Sequence, residues 1–215
     1  MKKTLPKMHG PARERGVVLL FCLIILVVLL AGGVAVMRST GNSLFGAGNL
    51  AFKRDLVNQG ELAIAKAMKE FQTGGALAET TATAANLPTA NYSAVQLRAN
   101  DHGIPEVLLK KTTLSGPDVA GNTFTPSGAA ITGNGGVTVR YVIDRMCNTT
   151  GAFSTVGKSG CVYTPSNTET PGGDQSQLST PGPSIPSPPI YRISVRADGP
   201  RDTQVFLQAS FTKPE

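Results

Sequence analysis

The chain of 215 residues is long enough for one modest globular domain, and its 24 glycines and 15 prolines predict many turns and loops. Its formal net charge is +6, but five basic residues and Glu14 give the first sixteen residues +4 of this, which leaves +2 for the rest. The basic balance therefore describes the N-terminus, and together with 6% aromatic residues it argues against a nucleic-acid-binding protein.

An uncharged segment follows the basic N-terminus directly. The sequence RERG ends at Gly16, and VVLLF opens a run from Val17 to Met37 without a charged residue. As a helix this run would be roughly 30 Å long, close to the thickness of a bilayer core. Because positive charge before an apolar helix stays in the cytoplasm, we expect the remainder of the chain on the other side of the membrane.

The helical pattern continues beyond this run. Apolar residues recur at spacings of three, four and seven, with charged residues between them, which predicts a helix with one apolar face: Phe45, Phe52, Leu56, Ala63, Ile64, Ala67 and Phe71. Gly74 and Gly75 mark its end. Glycines between Gly32 and Gly48 allow either close packing of membrane helices or local unwinding.

The rest of the chain predicts an antiparallel sheet. Val137–Met146 alternates apolar and polar residues, and Ile190–Asp198 and Thr203–Thr212 flank the turn sequence GPR as a hairpin. Glu106–Thr112 is a further short strand candidate. The predicted fold class is α+β, a long N-terminal helix against an antiparallel sheet. The predicted loops are residues 76–91, with little core content, and residues 165–189.

The cysteines divide between the two parts of the chain. Cys22 lies in the apolar run, whereas Cys147 and Cys161 are the only pair in the exported part. An oxidising compartment favours a disulfide between them. The alternative, a zinc site, needs two more ligands, and the only histidines are His9 and His102.

No motif points to catalysis. There is no Gly-x-Ser-x-Gly sequence, and Gly157-Lys158-Ser159 lacks the spacing and the following helix of a phosphate-binding loop. We therefore expect no enzyme, no catalytic residue, no metal and no cofactor. Three arginines near the hairpin (Arg192, Arg196 and Arg201) predict a solvated basic face rather than a site for nucleic acid.

At this point the residues resemble a known family. RERGVVLLF, VAVMRSTG and GNLAFKRDL are similar to the N-terminal region of PilX-type minor pilins of type IV pili, and VRYVIDRMC and IYRISVRADGPRDTQVFLQASF are similar to their last strands. The resemblance covers about the first 70 and the last 25 residues, and the middle of the chain carries none.

The resemblance implies a division of the chain. Residues 1–16 would be a leader that prepilin peptidase removes after Gly16, with N-methylation of Val17. Residues 17–37 would be the transmembrane and assembly half of the helix, and residues 38–72 its amphipathic half. Residues 73–215 would be a β-rich periplasmic head.

The same resemblance implies location and partners. The subunit would reside in the inner membrane with a cytoplasmic N-terminus and then join a fimbrium, where its partners would be the major pilin, other minor pilins and the inner-membrane assembly machinery. The pair Cys147–Cys161 matches the pilin disulfide of the C-terminal region.

Two positions depart from the family pattern. Val17 stands where most pilins have Phe, and Phe21 stands where most have a Glu that pairs with the N-terminal amine of a neighbouring subunit. A charge in the bilayer costs about 2.5–3.5 kcal/mol by insertion scales. A subunit without this carboxylate suits a place with no neighbour above it, at the tip, and this implies a role in priming assembly.

Three other classes of protein share the N-terminal pattern. An uncleaved signal anchor on a periplasmic binding or adhesion protein has the same features without processing, and a pseudopilin of type II secretion has them with processing. A secretory signal cut near Gly33-Val34-Ala35 would release a soluble product, although the apolar run is longer than usual for one.

Overall fold

The structure is a computed structural model that describes residues 16–164 and 187–213. The chain divides into two compact units, residues 1–51 and 52–215, and each is described by itself. Helix α1 spans Val17–Lys69. The predicted leader residues 1–15 and most of the predicted loop 165–189 lie outside the described residues.

The end of α1 lies close to its predicted position. After Lys69 the helix tightens, because Gln72 N donates to Lys69 O at 3.1 Å, and Leu77 N then donates to Glu70 O at 2.7 Å. A side chain at Gly75 would collide with the carbonyl oxygens of Lys69 and Glu70. The glycine pair therefore does mark the turn that ends the helical region.

Three long strands form the centre of the C-terminal unit. They are β5 (Thr138–Arg145), β6 (Ile190–Asp198) and β7 (Gln204–Thr212), paired antiparallel in the order β5-β6-β7. These match the three strands that alternation predicts, and a short helical turn at Pro200–Asp202 joins the hairpin.

The sheet is mixed, so the prediction of a purely antiparallel sheet is wrong. Strand β1 (Tyr92–Ser93) runs parallel to β5, and β4 (Ile131–Thr132) pairs antiparallel with β5. A parallel pair needs a long connection, and the segment between β1 and β5 provides one. That segment also holds a separate two-stranded sheet of β2 (Gly116–Pro117) and β3 (Thr123–Phe124).

The short strand predicted at Glu106–Thr112 is also wrong. Residues Glu106–Leu108 form a 3₁₀ turn after Pro105. Val107 and Leu108 are both buried, although they are neighbours in sequence. Alternation in a strand would place them on opposite faces, whereas a helical turn lets both reach one core.

The core has two layers, one on each face of the sheet. Residues of α1 that the helical spacing identified pack on one face with the odd-numbered residues of the strands: Leu56, Ala63 and Ala67 with Val139, Tyr141, Ile143, Ile193 and Val195. On the other face Val142 packs with Leu97, Val107, Leu108 and Phe124 from the irregular chain between β1 and β4. Strands β5 and β6 are therefore covered on both faces.

The predicted loop 76–91 contributes more to the core than its composition indicates. Leu77, Thr83, Ala90 and Asn91 are buried, and two 3₁₀ turns, Ala82–Ala84 and Pro88–Ala90, organise the segment. The small side chains of this segment fit close to the sheet, so the expectation of little core content is wrong.

The predicted disulfide is confirmed. Cys147 and Cys161 are bonded, and helix α2 (Phe153–Gly160), which the sequence did not predict, lies within the loop that they close. Beyond it, Thr164 N donates to Pro188 O at 3.2 Å, and Tyr163 pairs with Pro189. The two described chain ends on either side of residues 165–186 therefore lie next to each other.

Candidate functional site

Gly16 lies at the start of α1 in a conformation that favours glycine. Its φ is +127°, and its carbonyl oxygen accepts the first helical hydrogen bond from Leu20 N at 3.2 Å. A residue with a Cβ is strained at such a φ. Gly16 therefore precedes the first helical residue, Val17, in a conformation that a residue with a Cβ would adopt only with strain.

The apolar half of α1 has no cover within the described chain. The large apolar side chains from Val17 to Met37 are between 49% and 76% exposed. Among the described residues, α1 is also the one helix long and apolar enough to cross a membrane. An exposed apolar surface of this length is unstable in water, so it requires lipid or other apolar helices around it.

Phe21 belongs to this exposed surface, and no acidic residue lies in the first turn of α1. The first acidic residue after Gly16 is Asp55, in the C-terminal unit. Residues 17–54 therefore contain no carboxylate side chain.

A buried ion pair lies on the second face of the sheet. Arg192 on β6 and Asp144 on β5 are cross-strand neighbours, and Arg192 Nε lies 2.9 Å from Asp144 Oδ1. Asp144 Oδ2 accepts from Leu97 N at 2.8 Å, while Arg192 Nη2 donates to Leu97 O at 3.1 Å. The pair therefore holds both backbone groups of one residue in the irregular chain.

Burial and pairing act on Asp144 in opposite directions. Removal from water raises the pKa of its carboxyl group, and the hydrogen bond and charge of Arg192 oppose this rise. The net direction is upward because Asp144 has no exposed surface. The guanidinium of Arg192 thus favours the ionised form of this carboxyl group, which burial alone disfavours.

Two further arginines donate hydrogen bonds to carbonyl oxygens outside the strands. Arg196 Nη1 donates to Leu108 O at 2.7 Å and to Leu109 O at 2.9 Å. Arg145 Nε donates to Ala94 O at 3.2 Å, and its Nη2 donates to Gly151 O at 2.7 Å. These contacts supply donors to loop carbonyls that no strand pairs.

The prediction of a solvated basic face at the hairpin is therefore wrong for Arg192 and Arg196. Both are at most 5% exposed, and only Arg201 lies at the surface. Strand alternation places them on the sheet face opposite α1, and the irregular chain then covers them. The alternation in the sequence predicts that Arg192 and Arg196 lie on one face of β6. It does not predict that the irregular chain covers that face.

No three His, Cys, Asp or Glu side chains within residues 16–164 and 187–213 lie close enough to hold a metal ion. Gly157-Lys158-Ser159 lies in α2, which Gly157 interrupts at φ 69°.

Comparison of the chain with protein-family models, with curated proteins and with solved structures found no match.

Proposed function

We propose that this chain is a minor pilin that takes part in starting the assembly of a type IV pilus. Prepilin peptidase would cut it after Gly16, the amine of Val17 would be methylated, and the apolar half of α1 would hold it in the inner membrane before it joins the filament. It would act with other minor pilins and the major pilin, without catalytic activity.

The observation that carries this proposal is the start of α1 at Val17, directly after Gly16. A helix that begins at the proposed cut, with an exposed apolar surface from its first residue, gives a processed subunit that is apolar at its N-terminus. The same surface can be buried in lipid and then among the helices of a filament with little change in apolar burial.

The C-terminal unit also supports the proposal. Residues of α1 from Phe52 onward pack on a sheet, and a disulfide closes the region near its last strands. This combination of a long N-terminal helix, a sheet and a C-terminal disulfide is the layout that the resemblance to minor pilins implies.

Replacement of Gly16 by Val tests the proposal. We expect the wild-type chain to begin at methylated Val17 in mass spectrometry and the G16V chain to retain its N-terminus at Met1. The branched side chain is incompatible with φ +127° at the cut and too large for the small-residue position. Pilus number on the cell surface should fall with processing.

The matched control is Gly32→Val, which adds the same side chain to a helical glycine with no atom within 4 Å. It should be processed like the wild type. A wild-type chain that begins at Met1 would contradict the proposal and support an uncleaved anchor. A soluble chain that begins after Ala35 would support secretion instead.

A further inference from the structure

A small cavity lies on the second face of the sheet, opposite α1. Its volume is about 120 Å³, and it lies between residues 102–108 of the irregular chain and strands β6 and β7. Apolar residues line most of it: Ile104, Pro105, Leu108 and Phe206. The irregular chain therefore covers this part of the sheet without filling the space completely.

Ser194 is the buried polar residue that lines this cavity. It lies on β6, opposite Gln208 of β7, and is 3% exposed. Strand alternation places its side chain on the same face as Arg192 and Arg196, which is the face of the cavity. Its Oγ is buried and has no hydrogen-bond partner among the described residues. A buried hydroxyl group without a partner destabilises the folded chain, so it requires an explanation.

The charges near Ser194 favour an uncharged ligand. Ser194 lies between Arg192 and Arg196 along β6. Arg192 is paired with Asp144 at 2.5 Å. Arg196 is paired with Asp198 at 2.8 Å. No Lys, Arg, Asp or Glu is among the described residues that line the cavity, so a charged ligand would be desolvated there without a partner.

The mouth of the cavity favours a free small molecule over the surface of another protein. The exposed residues that line the cavity are polar or lack a side chain: His102, Gly103 and Gln208. Each of its apolar lining residues is buried or half-buried in the described chain. The centre of an interface between proteins is instead formed by apolar side chains that are exposed in the free partners. A small solute needs only the cavity itself.

We propose that this cavity binds a small uncharged molecule with an apolar body about the size of a benzene ring and one group that forms a hydrogen bond with Ser194 Oγ. An apolar cavity of about 150 Å³ holds benzene, so a space of about 120 Å³ that opens at a mouth suits a molecule of similar size. Water alone suits it less well, because a buried water makes about three hydrogen bonds and the apolar walls offer few partners.

Methyl NMR of the detergent-solubilised full chain tests this proposal, with phenol as the probe. Phenol should shift the methyl resonances of Ile104 saturably, because Ile104 lines the cavity. The methyl resonances of Ile24 and Ile25, on the exposed apolar half of α1, report the partition of phenol into detergent. The absence of a saturable shift at Ile104 would overturn the proposal.

Comparison of phenol with benzene isolates the hydrogen bond to Ser194. Ser194→Ala should weaken the binding of phenol by about fivefold and leave the binding of benzene unchanged. Since each probe is compared with itself in two chains, its partition into detergent cancels.

The matched control is Ser210→Ala, which removes an exposed hydroxyl group from β7. It should bind phenol like the wild type. Equal binding of phenol by Ser194→Ala and the wild type, or equal losses in the two variants, would overturn the proposal.

The stability of the chain without a ligand supplies an independent arm of the test. Ser194→Ala removes a buried hydroxyl group that has no partner, so its melting temperature should equal or exceed that of the wild type. A lower melting temperature would mean that the hydroxyl group is bonded within the protein and would overturn the proposal. The cavity lies in the C-terminal unit, so each result stands whether or not the chain is processed at Gly16.

Discussion

Arg192 is a residue whose role depends on what covers it. Its charge is balanced by Asp144, and its Nη2 donates both to Asp144 Oδ2 and to Leu97 O. A buried ion pair gives little net stability over an apolar pair, but a single buried charge without its partner is expensive. Arg192 and Asp144 are therefore expected to act as a unit that fixes the irregular chain on the sheet.

Arg192→Met should lower the free energy of unfolding by about 3–5 kcal/mol at neutral pH, because it leaves the Asp144 carboxylate buried without a partner. Arg98→Met makes the same replacement at an exposed position and should change stability by less than about 0.5 kcal/mol. The measurement is denaturant unfolding of the detergent-solubilised chain. Similar losses in both variants would contradict the assignment.

The loss in Arg192→Met should depend on pH. Without the guanidinium the pKa of Asp144 rises further above its unfolded value of about 3.9, so the folded variant binds a proton that the unfolded chain releases. Its stability then falls as pH rises through this window. The deficit relative to wild type should therefore shrink as pH is lowered from 7 toward about 4, and a pH-independent deficit would contradict this.

Among the secondary-structure elements, those with a long regular period were predictable from sequence. The apolar spacing of α1 and the alternation of β5, β6 and β7 each extend over at least eight residues, and burial of one face enforces them. Alternation also gave the partner faces of the hairpin. The helix and the three long strands could therefore be predicted from sequence.

The irregular chain between β1 and β4 was not predictable, because side chains rather than repeated backbone pairing hold it. Its carbonyl groups are satisfied by Arg145, Arg192 and Arg196, and no local pattern announces such contacts. The turn at Glu106–Leu108 and helix α2 were missed for a related reason, since each is too short for periodicity to identify.

The disulfide is the covalent link between the end of β5 and the segment that contains α2. Cys161→Ser should lower the free energy of unfolding by about 3 kcal/mol, because it releases a closed loop of moderate length. Cys22→Ser, at an exposed free cysteine, should leave the unfolding of the C-terminal unit unchanged. An unchanged melting temperature on reduction of the wild type would contradict this prediction.

At the scale of the whole molecule, the two units have opposite surfaces. Residues 17–37 expose apolar side chains throughout, whereas the described residues from Phe52 onward bury most of theirs in two layers around a sheet. The first unit therefore needs lipid or other apolar helices around it. Because residues 17–54 contain no carboxylate, this unit cannot neutralise a positive charge on an apolar helix beside it.

Under the proposed minor-pilin function, Phe21→Glu should change where the subunit lies in a pilus. The added carboxylate could pair with the amine of a neighbouring subunit, so we expect the variant along the shaft and the wild type at an end. Immunogold labelling of sheared pili measures this, with Phe21→Leu as the apolar control. Wild-type label distributed along the shaft would contradict a priming role.

The closed base formed by Tyr163 and Thr164 with Pro188 and Pro189 has a practical consequence. Chain length between these residues does not set the geometry of the sheet, since both ends are fixed to each other. By the loop-closure relation, each doubling of the length of a connection costs only about 0.6 kcal/mol. A peptide epitope inserted near residue 175 should therefore leave the disulfide and the hydrogen bond between Thr164 and Pro188 in place.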